Sequence, residues 1–259
     1  MGQGEKSVKG FLFIFLVLVL WEAFSRLTAD YARYFPPVSV ILLTLVQLFV
    51  SGEIPNHIVT SVTRILRGYM LGIVFGLTLG TVAGMWRPVY DLLEPVVELL
   101  RPLPSVVLLP LVILLVGIGD GMNVTMIAYG TTWPIFINTL EGVRSVDPVH
   151  ENTGRVFGLN RLELIRKVMI PSALPYIVSG LRIALGIAVI VVISTEMIGS
   201  GRGLGFFLID TSMSIRIPDM YAALLIIALL GYGFNEAFRA LERVCMAWHR
   251  GLTFKEQVF

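Results

Sequence analysis

The chain has 259 residues, of which 56% are hydrophobic and 15% charged, with a formal net charge of +2. Soluble domains carry about a quarter charged residues, so this composition is that of a polytopic membrane protein. So small a charge, without a basic run, excludes a phosphate-tracking nucleic-acid binder, and the lone Cys245 excludes an internal disulfide or a multi-cysteine metal site.

Lys6 and Lys9 precede an apolar run at 11–20. Trp21-Glu22-Ala23-Phe24 after it offers no small-x-small cleavage pattern, so 10–27 reads as a retained first span rather than a signal peptide. Tyr34-Phe35-Pro36-Pro37 then interrupts the chain before a short amphipathic helix at 38–50. A crossing takes about 20 mostly apolar residues. Further candidates lie at 61–85, 104–118, 122–140, 174–198 and 218–238, giving an all-α protein with about six transmembrane helices. The segment 104–118 is short and contains Pro110, so it is expected to borrow length from 96–102.

The second span carries Gly68, Gly72, Gly76, Gly80 and Gly84 at a constant spacing of four. That spacing puts them on one helix face, where a neighbouring backbone can approach closely. Such a face serves static packing, or packing that also slides during a conformational cycle. His57, His150 and His249 lie far apart with no ligand spacing, so no metal site is expected.

Between the fourth and fifth spans runs the polar segment 141–171, which a membrane protein keeps outside the hydrocarbon. Residues 146–157 form a helix, with Asp147 at its positive end and Pro148 in its first turn. Gly158 breaks it, and Asn160 caps a second helix at 161–169 that Pro171 ends. On the second helix Leu162, Ile165, Val168 and Met169 share one side, with Arg161, Glu163, Arg166 and Lys167 over the rest. Two such helices either lie on lipid headgroups or plug into a groove on a cytosolic protein. The near balance of acids and bases disfavours lipid adhesion.

Lys and Arg accumulate on the cytoplasmic side of membrane proteins. With both termini inside, that side receives Lys6, Lys9, Arg87, Arg101, the basic residues of 141–171, Arg239, Arg243, Arg250 and Lys255. Arg26, Arg33, Arg64, Arg67, Arg202 and Arg216 fall on the other, so the bias supports N- and C-termini in the cytoplasm. Arg64 and Arg67, near the outer end of the second span, either snorkel or pair with an acid such as Glu53.

Asn152-Thr153-Gly154-Arg155-Val156-Phe157-Gly158, followed by Ile170-Pro171-Ser172-Ala173-Leu174-Pro175, resembles the EAA loop of binding-protein-dependent ABC importer permeases. Gly158, Arg166, Val168, Pro171, Ala173, Leu174 and Pro175 match that pattern; Asn152, Thr153 and Gly154 stand where it has Glu, Ala and Ala, with Glu151 adjacent. Phe35-Pro36-Pro37-Val38, Leu100-Arg101-Pro102-Leu103-Pro104 and Leu109-Pro110-Leu111 resemble the nitrate, sulfonate, taurine and bicarbonate branch. So do Gly117-Ile118-Gly119, Gly180-Leu181-Arg182, Glu196-Met197-Ile198 and Gly203-Leu204-Gly205, so the resemblance covers about residues 30–245.

The resemblance implies a type I ABC importer permease fold, with a first helix, outer loop and amphipathic helix at 1–56, a core at 57–250 and a cytoplasmic tail at 251–259. It implies a multi-pass subunit of the inner (plasma) membrane that is not itself an enzyme. Its partners would be a second copy of itself, two cytosolic ATP-binding subunits and an extracytoplasmic substrate-binding protein. No cofactor would be bound by this chain, ATP and Mg residing on the partner ATPase. The cargo would be a small anion of the alkylsulfonate, taurine, nitrate or bicarbonate class. Coupling to the ATPase would fall to Glu151, Asn152, Thr153, Gly154, Arg155, Gly158, Leu159, Arg161, Glu163, Arg166 and Pro171.

The residues agree that no nucleotide binds, since G-x-x-x-x-G-K-[ST] is absent and the glycine-rich 199–205 lacks the Lys-Ser/Thr. That stretch reads as a turn leading to a surface helix. Ionisable groups at membrane depth are expensive and so are functional candidates. Arg182 either neutralises a passing anion or anchors a neighbouring helix; Glu196 either gates the outer end or pairs with Arg202. Ser194, Thr195, Thr131, Thr132 and Asn138 are candidates to line a polar path with them, and Glu236 and Arg239 form a local pair. The rival reading, an autonomous channel or ion-coupled secondary transporter, calls for inverted repeats or a midplane acid cluster, and neither stands out.

Overall fold

In a computed structural model, residues 3–28 and 34–246 are described, and among them every regular element is helical. Arg33, His249, Arg250, Lys255 and the tail 251–259 lie outside the described residues. Helix α1 spans Gln3–Leu27, α2 Val38–Val50 and α3 Glu53–Met85. Next come α4 at Arg87–Leu100, a 3-10 turn at Ser105–Leu108, α5 at Leu109–Val116 and α6 at Asp120–Arg144. Helix α7 is Pro148–Val156, α8 Arg161–Leu164, α9 Ile170–Gly199, α10 Leu204–Met213 and α11 Ile217–Cys245.

Three helices, Glu53–Met85, Arg161–Gly199 and Ile217–Val244, are long and apolar enough to cross a membrane. Helix α6 is more polar and helix α1 is as apolar as these; each has 25 residues, is about 37 Å long at 1.5 Å per residue, and exceeds the hydrocarbon thickness. Helix α1 exposes Leu12, Phe13, Phe15 and Leu20 around its circumference, as a lipid-bathed helix does. Its far end is fastened by Trp21, stacked on Phe35 at 4.6 Å, and by Ser25, whose hydroxyl donates to Phe35 O at 2.5 Å.

The expected third span is corrected in shape: it draws on the stretch before it, as expected, but Arg87–Leu100 and Ser105–Val116 pass as a span only together, bent by 87°, as a broken crossing or a re-entrant loop. Arg101 is still helical at φ −56°, ψ −45°, and the chain has left the helix by Pro104, which sits at φ −58°, ψ 130°. Helix α4 escaped the hydropathy reading because Asp91, Glu94 and Glu98 dilute it, yet Leu92, Val96 and Leu99 fall at helical spacing and face outward.

A second correction concerns Pro171, which does not end the helix that Asn160 caps. Arg161–Gly199 is one continuous helix of 39 residues. At Ile165–Met169 it widens into a π-turn, where the Ile170 N–H reaches back to Ile165 O. The widened register carries the helix past the donors that Pro171 and Pro175 lack.

Helices α3, α6 and α9 form the core. Gly68, Gly72, Gly76, Gly80 and Gly84 of α3 oppose Ile127, Thr131, Ile135, Thr139 and Val143 of α6, which are also four apart. A Cβ on Gly76 would lie 2.6 Å from Ile135 Cβ, and one on Gly84 2.8 Å from Val143 Cβ, so any side chain would force the helices apart. Without a hydrophobic drive inside lipid, this close approach is what lets dispersion hold the pair. Gly180 of α9 meets Asn138 in the same way, 2.7 Å from a built Cβ. Around this seam pack Ile65, Met122, Met126, Ala184, Ala188 and Val192. A second cluster joins α2, α10 and α11 through Ile41, Leu48, Phe207 and Ile226.

Candidate docking loop and buried charge cluster

Helix α6 runs from one functional feature to another. At its Arg144 end the chain leaves the bundle as a two-helix loop; at its Asp120 end lies an ionic network in which Arg64 and Glu196 are buried and Asp120 is exposed.

Each turn of the loop is specified locally. Asp147 Oδ1 accepts from Val149 N at 2.8 Å and caps α7, with Pro148 at a first-turn position where its missing donor costs nothing. Gly158 closes the helix at φ +75°, and Leu159 N donates to Gly154 O at 3.1 Å. Asn160 and Glu163 form a reciprocal capping box: Glu163 N donates to Asn160 Oδ1 at 2.9 Å, and Asn160 N to Glu163 Oε2 at 3.1 Å. Lys167 Nζ is 3.0 Å from Glu163 Oε1. Lys167 first, then the Asn160 amide, hold the Glu163 carboxyl below its ordinary pKa. A Cβ on Gly154 would lie 2.6 Å from Leu164 Cδ1, so the small residue there lets α7 lie against α8.

The loop presents Asn152, Thr153, Arg155, Arg161, Arg166 and Pro171 on its surface, with Glu163 and Leu159 half-buried. Glu151 lies in α7, and its side chain is outside the described set. Among the large apolar groups of the loop, Val156 at 86% and Phe157 at 80% are the most exposed. Beside them opens a cleft of about 780 Å³, bordered by Asp147, His150, Phe157, Lys167 and Pro175. At the root of the loop Arg144 stacks over the Tyr90 ring at 3.7 Å and Arg161 over Trp86 at 5.5 Å, tying it to α4.

At the opposite end Arg64 is enclosed. Its Nη1 donates to Glu196 Oε1 at 2.9 Å and to Arg202 O at 2.7 Å, while Nε and Nη2 reach Asp120 Oδ1 at 2.8 and 2.5 Å. Ser61 Oγ donates to the Glu196 carboxylate at 2.8 Å and accepts from Leu204 N at 2.8 Å. Gly205 N donates to Glu196 Oε2 at 2.9 Å, and Gly203 N to His57 Nδ1 at 3.1 Å. Next to this set Thr195 donates to Asn123 Oδ1 at 2.7 Å, and Asn123 Nδ2 to Ser200 Oγ at 2.8 Å. Three core helices and the 200–205 turn are thus joined at one end by satisfied polar groups, the condition for burying charge. Gly203 is obligatory there: its φ is +116°, and a Cβ would collide with the Glu196 carboxylate.

Several sequence expectations are corrected by these contacts. Arg64 neither snorkels nor pairs with Glu53, which instead meets Arg216 at 3.3 Å. Arg67 is exposed. Glu196 pairs with Arg64, not with the Arg202 side chain, and is 0% exposed. Thr195 and Thr131 are likewise fully buried, Thr131 against Gly72 with its hydroxyl on Ile127 O at 2.7 Å. Ser194 and Thr132 spend their hydroxyls on Ile190 O and Ala128 O in their own helices. Of the alternatives for Arg182, the anchor is what the structure contains: it pairs with Glu242 and joins α9 to α11. Glu236 and Arg239 form their local pair at 2.8 Å. Asp120, Ser61 and His57 escaped the sequence reading; the available signal was that Arg64 and Glu196, opposite charges in apolar segments, needed partners.

Comparison with known proteins agrees with this architecture. The family described as binding-protein-dependent transport system inner membrane component matches residues 72–244. The chain is 32% identical over 241 residues to the aliphatic sulfonates transport permease protein SsuC of Bacillus subtilis (strain 168), covering 93% of this chain and 87% of that one. It is 29% identical over 239 residues to the taurine transport system permease protein TauC of Escherichia coli (strain K12), covering 90% and 87%. Among solved structures, an inward-facing conformation of the MetNI methionine ABC transporter shares the fold with a TM-score of 0.65 at 19% identity, over 75% of this chain and 97% of that one.

Proposed function

The chain belongs to the binding-protein-dependent transport system inner membrane components, the multi-pass permeases of ABC importers, and on that premise we propose that its 145–169 loop is the part gripped by a cytosolic ATPase. The subunit does no ATP chemistry itself; an ATPase and a substrate-binding protein are its partners. The further reading is that it acts as a homodimer with two ATP-binding subunits, that both termini face the cytoplasm, and that the cargo is a small anion. The names of the two relatives, for aliphatic sulfonates and for taurine, favour a sulfonate.

The observation that carries the docking reading is the exposed apolar turn Val156–Phe157 on a rigidly capped loop. Both helices of that loop are fixed by their own caps, so the turn is held out from the bundle without help from another chain. An apolar knob on a preformed helix end fits a groove in a partner, and ordering it in advance reduces the entropic cost of docking. The cap residues Asp147 and Asn160, with Gly158 between them, fix the angle at which the knob is presented.

Energy would enter as differential affinity. ATP binding draws the two ATPase subunits together, the loops follow, and the membrane helices shift from inward-open to outward-open, whereupon the binding protein delivers its ligand. Co-purification tests the docking: Phe157→Asp should lose the ATPase subunits while the permease still folds, and unchanged recruitment together with unchanged uptake would refute it.

A further inference from the structure

A cavity of about 380 Å³ lies between α6, α9 and the break in the third span. Its depth follows from helix geometry. Trp133, on its wall, is about 20 Å along α6 from Asp120 and about 16 Å from Arg144. Tyr129 donates its hydroxyl to Leu100 O at 2.7 Å, which holds the unwound 101–104 backbone at that same level. Irregular backbone midway through a membrane is tolerated where it lines a cavity rather than lipid.

Around this cavity stand the donors Arg101 and Trp133, the hydroxyls of Ser105 and Tyr129, and Asn138, whose Nδ2 is spent on Pro134 O and whose Oδ1 is an acceptor. Arg101, which the charge bias assigned to the cytoplasmic side, borders this cavity instead; it is exposed, and among the described residues it makes no ion pair. The Trp133 indole Nε1–H is buried and has no acceptor. Ser105, at the start of the 3-10 turn, adds a hydroxyl, and Tyr129 fixes the indole by an edge-on contact at 5.6 Å. Ile183 and Ile187 make the opposite wall apolar. Arginine and indole N–H donate and cannot accept, so together they want an anion. The Arg101 guanidinium is exposed, so water or a ligand reaches it.

We propose that this cavity is a transient site for a small monoanionic oxyanion in transit, with Arg101 as its charge partner and Trp133 Nε1–H and the Ser105 hydroxyl as donors to its oxygens. It rests on the importer reading and names the place within this chain where the cargo pauses. A sulfonate suits it: one diffuse charge over three acceptor oxygens, with a short apolar tail for the isoleucine wall. None of the threonines expected to line a path borders this cavity.

The test uses the full chain in complex with its ATPase subunits. In a Cys245→Ala background, Ser105→Cys is labelled with N-ethylmaleimide. Ethanesulfonate should slow labelling at least fivefold, and the neutral ethanesulfonamide should not; Arg101→Gln should abolish that protection and Arg101→Lys retain part of it. Equal labelling with and without ethanesulfonate, or equal protection by the amide, overturns the site. ATP-driven ethanesulfonate uptake in liposomes with the binding protein reads the importer assignment separately. It should fall at least tenfold in Arg101→Gln; undiminished uptake there overturns the site and spares the importer reading. Protection in the Ser105→Cys protein, together with no ATP-driven uptake by the wild-type protein, refutes transport of sulfonates, not the site.

Discussion

Arg64 and Glu196 form an ion pair of 2.9 Å between α3 and α9, with side chains only 6% and 0% exposed. Neither helix can shift at this end without exposing or orphaning a charge.

Removing one partner is therefore expected to cost more than removing both. Glu196→Leu should destabilise the permease by about 3 kcal/mol, because it leaves a buried guanidinium with Asp120 alone, whereas Arg64→Met combined with Glu196→Leu should cost less than either single change. Thermal unfolding in detergent reads the difference; additive losses in the double variant would show that the two side chains act independently.

Gly203→Ala should be among the most damaging single-methyl changes in the chain. The new Cβ would sit inside the Glu196 carboxylate, at a φ of +116° that side chains rarely adopt. A loss of about 3 kcal/mol is expected, with Gly201→Ala, whose Cβ meets nothing within 4 Å, as the near-neutral control.

Gly76→Leu should prevent close seating of α3 on α6 and cut the yield of folded protein sharply. Trimming the opposing residue, Ile135→Ala, should recover part of the loss, since Ile135 is what the added side chain strikes. Recovery is scored by monodisperse elution and by uptake; no rescue would mean the seam does not limit assembly.

In the loop, Asn160→Ala should weaken the start of α8 by about 1 kcal/mol, seen as faster hydrogen exchange at 161–167. Acid should have a related effect. The Glu163 carboxyl has its pKa lowered in the folded loop by Lys167 and the Asn160 amide, so its stabilisation is complete above the unfolded value of about 4.3 and is lost as pH falls through the folded one. Exchange in this segment should therefore be slowest at neutral pH, after correction for intrinsic rates, and Glu163→Gln should remove the acid dependence.

Much of this was legible in the residues. The glycine spacing in α3 marks a packing face, and α2 is found at the residues its pattern marks. Asp147, Gly158 and Asn160 carry their capping roles on their surface, because those roles depend only on neighbours a few positions away. What escaped depends on longer reach. Arg64, Asp120 and Glu196 are 56 to 132 positions apart, and no local rule says that they meet. Pro171 misled for the opposite reason: a local rule ends a helix there, and a single widened turn overrides it. Trp133 and Arg101 come together only because the third span breaks where it does.

The unbroken run Arg161–Gly199 has a mechanical meaning. At 1.5 Å per residue its 39 residues make a rod about 58 Å long, with the capped loop at one tip and Glu196 near the other. On the docking proposed above, a pull on Arg161 would be delivered as a tilt rather than absorbed in a tether, with the π-turn at Ile165–Met169 as the point of give. Lengthening or straightening that turn would change the stroke without touching either grip.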